Sequence, residues 1–470
     1  MLLRFQHQIL LAAWAKVIMD QMRGKARGIE RLYLDFDSFF ASAEQHFNSS
    51  LRGKPVGVVP LDSSTTSCIA VSREAKALGV KSGARITDAR AIVPDMIFVV
   101  ARHDVYVRLH NRILDVIDTC LPISSVRSID EVVCHLTASE AAEGIGLAQR
   151  IKAALAAAFS DGLTCSIGMA PTELLAKIGA EMHKPNGFAL IKSDDLPSAL
   201  NHLALKKLPG VSDGMMRRLN RSGVYNFADL WGLAPKQARA IWRSVEGERF
   251  WNGLHGYHFE RPETVKSMFG HSRVLPKEWR NPERVKICAR QLSLSASRRL
   301  RRANLIAIKL TLGFRGKRYG RDRTQPPEPL AWNCEAGFQP ANDDHTFLVA
   351  LDEALEVAKK TMKFQPNSVS VTIHGVDDAM YITPDLFSHQ KAKEDTQQIG
   401  QTNGGADWDK VSNLMDILRS KHGPNAISLG PQDEIPGGYV GAKIAFGRIP
   451  EQDDFNSAPV ADEDTHFCTH

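Results

Sequence analysis

The run RLYLDFDSFFASAEQ, residues 31–45, constrains this chain more than any other feature. Its first six residues alternate and then turn apolar, as a strand bound for a core does, and residues 39–47 follow with helical spacing. Yet the end of that strand carries two carboxylates, Asp35 and Asp37. Burying an ionised carboxylate costs several kcal/mol unless something positive compensates it. The pair therefore needs a hydrogen-bond network, a cationic partner or a metal.

A second acidic cluster, SIDE (128–131), lies in SSVRSIDEVVCHL (124–136), which reads as one strand interrupted by charge. Before it, HDVYVRLHNRILDVIDTCL (103–121) puts Val105, Leu109, Ile113 and Ile117 on one helical face. After it, SEAAEGIGLAQRIKAALAAAF (139–159) reads as a single alanine-rich helix and LTCSIGMAP (163–171) as a strand. A short strand (54–60) and a helix (72–80) with the turn KSGA fall between the first helix and the second. This order predicts a split βαβ, ferredoxin-like core with an insertion after its first helix. In such a core the first and later strands are neighbours, so Asp35, Asp130 and Glu131 can converge. Either cluster alone reads as surface or turn carboxylates. Together, inside apolar strands, they read as a site for divalent cations, which would relieve their mutual repulsion.

The rest of the chain changes character twice. Residues 196–256 read as short helices around the turn LPGVSDG (208–214). From 265 the alternation returns, with strands at 265–275, 305–315 and 367–375 and helices at 281–303 and 346–363, a second α/β unit. Residues 377–408 lack periodicity and read as a linker, and 408–423 reads as a helix. A length of 470 residues with 43% hydrophobic content calls for several cores. The seven cysteines show no CxxC spacing, which argues against a zinc site or disulfide framework and for a reducing interior. The apolar run ILLAAWAKVIM (9–19) is interrupted by Lys16, is too short to span a membrane, and has no cleavage pattern after it. Residues 1–28 read as an accessory helix or an upstream-start extension, with Met22 an alternative start. Net charge is only +6, but residues 261–330 hold eighteen Lys/Arg against five Asp/Glu, and 381–470 hold seven against fourteen. A basic middle of that density fits a polyanion-binding module.

LDFDSFFASAEQ, SREAKALGVKSGA, SIDE, LAKIGAEMHKPNG and LPGVS occur in the order and approximate spacing of the Y-family translesion DNA polymerases, which the chain resembles from residue 31 to 256 and more loosely to 375. The resemblance implies an α+β multidomain right hand: a ferredoxin-like palm (29–45 and 105–191), small fingers (46–104), a helical thumb with a helix-hairpin-helix (192–256) and an α/β little finger (265–376). A linker (377–407) and a C-terminal tail (408–470) would follow. It implies two Mg²⁺ ions, with Mn²⁺ the alternative, held by Asp35, Asp130, Glu131 and the main-chain carbonyl of Phe36. Asp37 would support the strand and turn, or simply cap the following helix. Phe39 and Phe40 fall at the nucleotide, with Phe40 as the steric gate against a ribose 2′-hydroxyl; core packing is the plainer alternative. Lys184 matches the lysine that holds the triphosphate.

The chain departs from the family pattern in the fingers. Arg73-Glu74-Ala75-Lys76 stands where Tyr-Glu-Ala-Arg is common, and Ala70 where a hydroxyl residue is usual. An arginine offers phosphate a planar fork and a lysine a point charge, so Arg73 and Lys76 are expected to bind the phosphates with roles exchanged. In LPGVSDGMMRRL the hairpin turn would offer DNA its backbone at Gly210, with Ser212 replacing the usual second glycine. Lys266, Arg273, Arg315, Lys317 and Arg318 are the candidate phosphate contacts of the basic unit. ITPDLF (382–387), ending in Asp385, Leu386 and Phe387, resembles a sliding-clamp peptide without its leading glutamine, an ordinary linker being the alternative. The partners implied are primer-template DNA, deoxynucleoside triphosphates and the clamp, for a cytoplasmic, nucleoid-associated monomer with no membrane contact. Two other readings of the same fold are a catalytically weak or inactive DNA-binding accessory protein that recruits another polymerase, and a nucleotide cyclase.

Overall fold

The structure, a computed structural model, describes residues 24–26, 28–60, 66–259, 266–318, 327–378, 407–422, 426–430 and 449. Its contacts divide the chain into two units, the first running to Pro262 and the second from Glu263 to Ala442. No helix among the described residues is long and apolar enough to cross a membrane.

In the first unit, β1 (Arg31–Phe36) leads directly into α1 (Phe39–Phe47). An inserted layer follows: β2 (Val56–Val59), β3 (Ala70–Val71), α2 (Arg73–Ala77), α3 (Ile86–Ile92) and β4 (Ile97–Val100), its small sheet ordered β3-β2-β4. The chain then returns through α4 (His103–Cys120), β5 (Ser125–Ser128), β6 (Glu131–His135), α5 (Ala138–Glu143), α6 (Ile145–Ala158), β7 (Cys165–Ala170), α7 (Glu173–Met182) and β8 (Phe188–Leu190). The central sheet has the order β5-β6-β1-β7-β8, with β1 antiparallel to both neighbours and β8 parallel to β7. This is the ferredoxin-like split βαβ path with one strand added at the β7 edge. Among the described residues, four short helices follow: α8 (Asp213–Arg221), α9 (Phe227–Trp231), α10 (Pro235–Trp242) and α11 (Val245–Leu254).

The two faces of β1 have different work. Leu32, Leu34 and Phe36 are buried on one face; Tyr33 and Asp35 lie on the other, facing Gly168 and Ser166 of β7 in register. Helix α7 rests on this second face so closely that a Cβ on Gly168 would lie 1.9 Å from the carbonyl oxygen of Ala176. Only glycine permits that approach.

Two expectations for this unit change. Residues 124–136 form a hairpin rather than one strand: β5 pairs antiparallel with β6, and Ile129 and Asp130 make the turn. The charge that looked like an interruption is the reversal itself. Residues 139–159 form two helices, broken at Gly144, whose φ of +54° suits glycine, with α5 started by a Thr137–Glu140 capping box.

In the second unit, β9 (Met268–Val274), α12 (Pro282–Arg302), β10 (Leu305–Arg318), β11 (Glu328–Ala341), α13 (Asp344–Thr361) and β12 (Ser368–Asp378) again run strand-helix-strand-strand-helix-strand. Here the all-antiparallel order is β11-β10-β12-β9. Leu310, Leu312 and Phe314 of β10 bury against Leu292, Leu300, Phe347 and Leu351 of α12 and α13. Strand β11 was not anticipated, though its Leu330, Trp332, Cys334, Ala336 and Phe338 alternate inward. It lies at the sheet edge, where Pro329 and Pro340 are tolerated. Helix α14 (Trp408–His422) belongs to this unit and is tied to it by charge: Arg301 bridges Asp344 (2.8 Å) and Asp416 (2.7 Å), and Arg419 meets Asp416 at 3.1 Å.

Candidate active site

The pairing of β1 with β6 sets Asp35 opposite Glu131, and the Phe36 amide donates to the Asp130 carbonyl (2.9 Å). Register alone thus gathers Asp35, Asp130 and Glu131 at one end of the sheet. The hairpin turn is held from both sides. Ser128 Oγ donates to Asp130 Oδ1 (2.5 Å) and Glu131 Oε2 (3.3 Å), and the buried His110 donates Nδ1–H to the Ile129 carbonyl at 2.8 Å. Burial pushes the Asp130 carboxyl above its ordinary range, and burial also raises Asp35 well above it against the pull of Lys184. Among the described residues, no three His, Cys, Asp or Glu side chains close a ready-made metal cage.

Lysines answer the acids instead. Lys184 Nζ lies 2.7 Å from Asp35 Oδ1 and 2.7 Å from Glu181 Oε1, and Lys177 Nζ bonds Glu131 and, at 3.0 Å, the Tyr33 hydroxyl. Burial alone would lower the Lys184 pKa, but Asp35 and Glu181 outweigh it and push it up to about 12. Lys177 and Glu181 are four apart on α7 and so share one of its faces, and Lys184 follows in the loop after the helix, within reach of Glu181. That spacing was the available signal for Lys177 and Glu181, which the sequence reading missed.

Asp37 does not cap α1. The N-cap position is Ser38, in a left-handed conformation (φ 55°) with no side-chain cap bond. The Asp37 carboxylate instead accepts from Ser166 Oγ (2.9 Å), Thr164 Oγ1 (2.8 Å) and the Asn186 amide (2.8 Å). It therefore fastens β1 to β7 and to the loop that carries Lys184. Lys152 holds the same loop from outside, donating to the carbonyls of Asn186 (2.6 Å) and Gly187 (2.9 Å).

Phe39 is buried beside Phe36, whereas the half-buried Phe40 stacks on Tyr106 with ring centroids 4.8 Å apart. Tyr106 is fixed by donating to Glu44 Oε1 (2.7 Å), a buried carboxylate that Arg102 also grips at 2.8 Å. Arg73 and Lys76 part company. The Arg73 guanidinium donates to Thr164 Oγ1 (3.0 Å) and the Gly162 carbonyl (3.4 Å). The Lys76 side chain is open to solvent, yet partial desolvation and then Lys184 lower its pKa, with Asp37, Asp35 and Glu181 pulling the other way. Its electrostatic neighbours are thus all site residues.

The remaining candidates are distributed as follows. Gly210 has a φ of +81° in the turn before α8, and Ser212 caps that helix through Met215 N–H (3.4 Å); a 3₁₀ turn, Leu205–Lys207, precedes it. In the second unit Lys266, Arg315, Lys317 and Arg318 are exposed. Arg273 differs: it is half-buried, and desolvation lowers its pKa with Cys288 of α12 as neighbour. It occupies the helix-covered side of the sheet. Asp385, Leu386 and Phe387 lie outside the described residues.

The impB/mucB/samB family model matches residues 34–181, which span these carboxylates and α7 up to Glu181. DNA polymerase IV of Moorella thermoacetica is 29% identical over 307 residues, covering 63% of this chain and 76% of that protein. DNA polymerase IV of Saccharolobus solfataricus is 30% identical over 287 residues, covering 60% and 80%. In fold, the chain is similar to a Y-family DNA polymerase chimera of Dbh and Dpo4, with a TM-score of 0.61 at 24% identity, covering 74% of this chain and 99% of that one. A shared match over four-fifths of the Saccharolobus protein, running through the strands and helix that assemble the acidic site, places this chain in the impB/mucB/samB family of Y-family DNA polymerases.

Proposed function

We propose that the chain is a template-directed DNA polymerase of the translesion type, adding deoxynucleotides to a primer 3′ end with low fidelity at damaged templates. The observation that carries this reading is the Asp35–Glu131 register with the Asp130 carbonyl bonded to Phe36 beside it, next to a cationic partner in Lys184. On this reading residues 29–45 and 105–191 are the palm, 46–104 the fingers, 192–256 the thumb and 265–376 the little finger.

The donor set fits divalent cations: three carboxylates, two of them raised in pKa by burial, and the Phe36 carbonyl, all hard oxygen donors. Mg²⁺ commonly binds through one or two carboxylates plus substrate phosphates, so it needs no protein cage. Bound there, two Mg²⁺ ions, or Mn²⁺ in their place, would supply charge stabilisation at the attacking and leaving oxygens. The reaction is in-line attack of the primer 3′-oxygen on the nucleotide α-phosphate, with pyrophosphate leaving. Asp35, Asp130 and Glu131 would hold the ions. Lys184, freed from Asp35 but still steadied by Glu181, binds the triphosphate together with Lys76. Phe40, backed by Tyr106, fills the space a ribose 2′-hydroxyl would need. Lys266, Arg315, Lys317 and Arg318 follow the duplex backbone without reading bases, and the Gly210–Ser212 turn meets a phosphate.

Primer extension on undamaged and abasic templates tests the reading. The wild type is expected to extend both and Asp130→Ala neither, with DNA binding retained in both proteins. Wild-type DNA binding without extension would instead favour the accessory role.

A further inference from the structure

Arg73 lies at the first turn of α2 in the inserted layer, yet its guanidinium reaches across to the central sheet, to Gly162 and Thr164 at the start of β7. The Thr164 hydroxyl links two neighbours: it accepts from Arg73 Nη1 at 3.0 Å and donates its one hydrogen to Asp37 Oδ2 at 2.8 Å. That same carboxylate oxygen accepts the Asn186 amide at 2.8 Å. Asn186 has a φ of +54°, in the left-handed region that asparagine tolerates better than most residues. Two residues earlier in the loop stands Lys184, on Asp35. A continuous chain of hydrogen bonds therefore runs Arg73–Thr164–Asp37–Asn186, from the inserted layer to the loop that presents the phosphate lysine.

We infer that Arg73 is a positioning residue, a strut that locks the inserted layer onto the central sheet and orders the Lys184 loop, rather than a ligand of the nucleotide phosphates. The chemistry of the contacts favours this. Two of the guanidinium's nitrogens are already committed to acceptors in the protein, Arg73 Nε is buried without a partner, and a planar fork suits two fixed acceptors better than a lysine would. Lys76, one helical turn further, is left as the cation of α2 that senses Lys184, Asp37 and Asp35. The expected division is that Lys76 binds phosphate and Arg73 sets where Lys76 and Lys184 stand relative to each other. This rests on the polymerase reading for its consequence, but the hydrogen-bond chain can be tested without catalysis.

The experiment compares wild type, Arg73→Ala, Thr164→Val, Thr164→Ser and the Arg73→Ala/Thr164→Val double variant. Amide hydrogen exchange is read at residues 184–188 in the nucleotide-free protein, and kcat and KM for an incoming deoxynucleotide are read in primer extension. Exchange at Asn186 should quicken about tenfold in Arg73→Ala and in Thr164→Val, with no further gain in the double variant, and Thr164→Ser should restore it. A strut should lower kcat as well as raise KM, and Lys76→Ala should raise KM without changing exchange at Asn186. Unchanged exchange in Arg73→Ala together with a raised KM would overturn the inference and make Arg73 a phosphate ligand. Absence of extension by every protein, with exchange behaving as expected, would sink the polymerase reading and leave the strut standing. Thermal unfolding of each variant separates a local change from global destabilisation.

Discussion

The ammonium of Lys184 lies 2.7 Å from Oδ1 of Asp35 and equally close to Glu181, so the loop lysine and the strand carboxylate neutralise each other across the site. Asp35 is nearly inaccessible, and its burial opposes its charge. The lysine is one compensation for the buried carboxylate, and bound cations would be another. The two residues are thereby coupled, but not symmetrically, because Glu181 keeps Lys184 in place when Asp35 is otherwise engaged. Asp35→Asn should lower the extension rate by about a thousandfold, the loss of several kcal/mol of charge stabilisation. Its unfolding midpoint should stay level or rise, since the variant no longer buries a charge. Lys184→Met should cost roughly 10- to 100-fold in kcat/KM for the nucleotide, the scale of one charged hydrogen bond. Steady-state extension and denaturant unfolding on the same samples check both.

Phe40 stacks on Tyr106 at 4.8 Å, and Tyr106 is itself pinned by Glu44, so the ring proposed as the gate is braced by its neighbour. Phe40→Ala should reduce discrimination against ribonucleotides by about 100-fold, the range a site gains from shape at a small group. Tyr106→Phe, which keeps the ring, should leave discrimination intact, and Tyr106→Ala should erode it. Competing ribo- and deoxynucleotide incorporation, read as a ratio of kcat/KM values, decides. Equal discrimination in Phe40→Ala and wild type would return Phe40 to core packing.

What could be read in the sequence was what repeats locally. The apolar strand ending in DFD, the helix with Val105, Leu109, Ile113 and Ile117 on one face, and the order of elements around them led to the split βαβ core, because side-chain periodicity follows backbone geometry. The convergence of Asp35, Asp130 and Glu131 was legible because a split βαβ core makes β1 and β6 neighbours, and the observed register sets Asp35 opposite Glu131. The Lys177–Glu131 pair and the Thr164–Asp37–Asn186 contacts were not, since they join residues up to 149 apart that only the folded sheet brings together. Arg73 is the sharpest case. Its type and place pointed to phosphate, but its direction is decided by where β7 begins, which no local pattern records. Edge strand β11 escaped because prolines at both ends masked its alternation.

Acid should weaken the fold through His46. Its imidazole bonds Ser160 at 3.0 Å, and burial, with Arg52 and Arg112 nearby, lowers its pKa from 6.5 to about 4. The unfolded chain therefore takes up the proton first as pH falls. Stability is fully present above about 6.5 and is lost as pH drops through 6.5 toward 4. His46→Gln should flatten part of that loss, visible as a smaller difference in denaturation midpoint between pH 7 and pH 5. A variant with the wild-type difference would show that other groups carry the acid sensitivity.

Helix α14 is held by buried charge rather than by a large apolar face. Arg301 is 5% exposed and Asp344 1%, with Asp416 and Arg419 closing the network from α14. Removing one partner of a buried pair costs about 3–5 kcal/mol, because the other is left desolvated and alone. Arg301→Met should therefore open α14 locally, raising amide exchange across residues 408–422 by about 100-fold or more, while the central sheet of the first unit is unaffected. Asp416→Asn keeps a hydrogen-bonding group and should cost less.

The basic second unit predicts a salt law and its exception. If exposed cations meet DNA phosphates, each contact releases condensed counterions, and the logarithm of affinity falls against the logarithm of salt with a slope of about −0.9 per phosphate neutralised. Lys266, Arg315, Lys317 and Arg318 are exposed, so alanine at each should make the slope shallower by about that amount while weakening binding to all sequences alike. Arg273 had the same claim from sequence, but its side chain lies on the helix-covered side of the sheet near Cys288, where burial lowers its pKa. A guanidinium there neutralises no phosphate. Arg273→Ala should leave the slope at its wild-type value and instead lower the stability of the second unit through lost packing of its stem. Fluorescence anisotropy of a labelled primer-template between 50 and 200 mM salt, about the range over which phosphate contacts weaken most, separates the two classes. A shallower slope for Arg273→Ala would mean that its guanidinium reaches the duplex after all, and an unchanged slope for Arg315→Ala would remove the open end of β10 from the DNA interface.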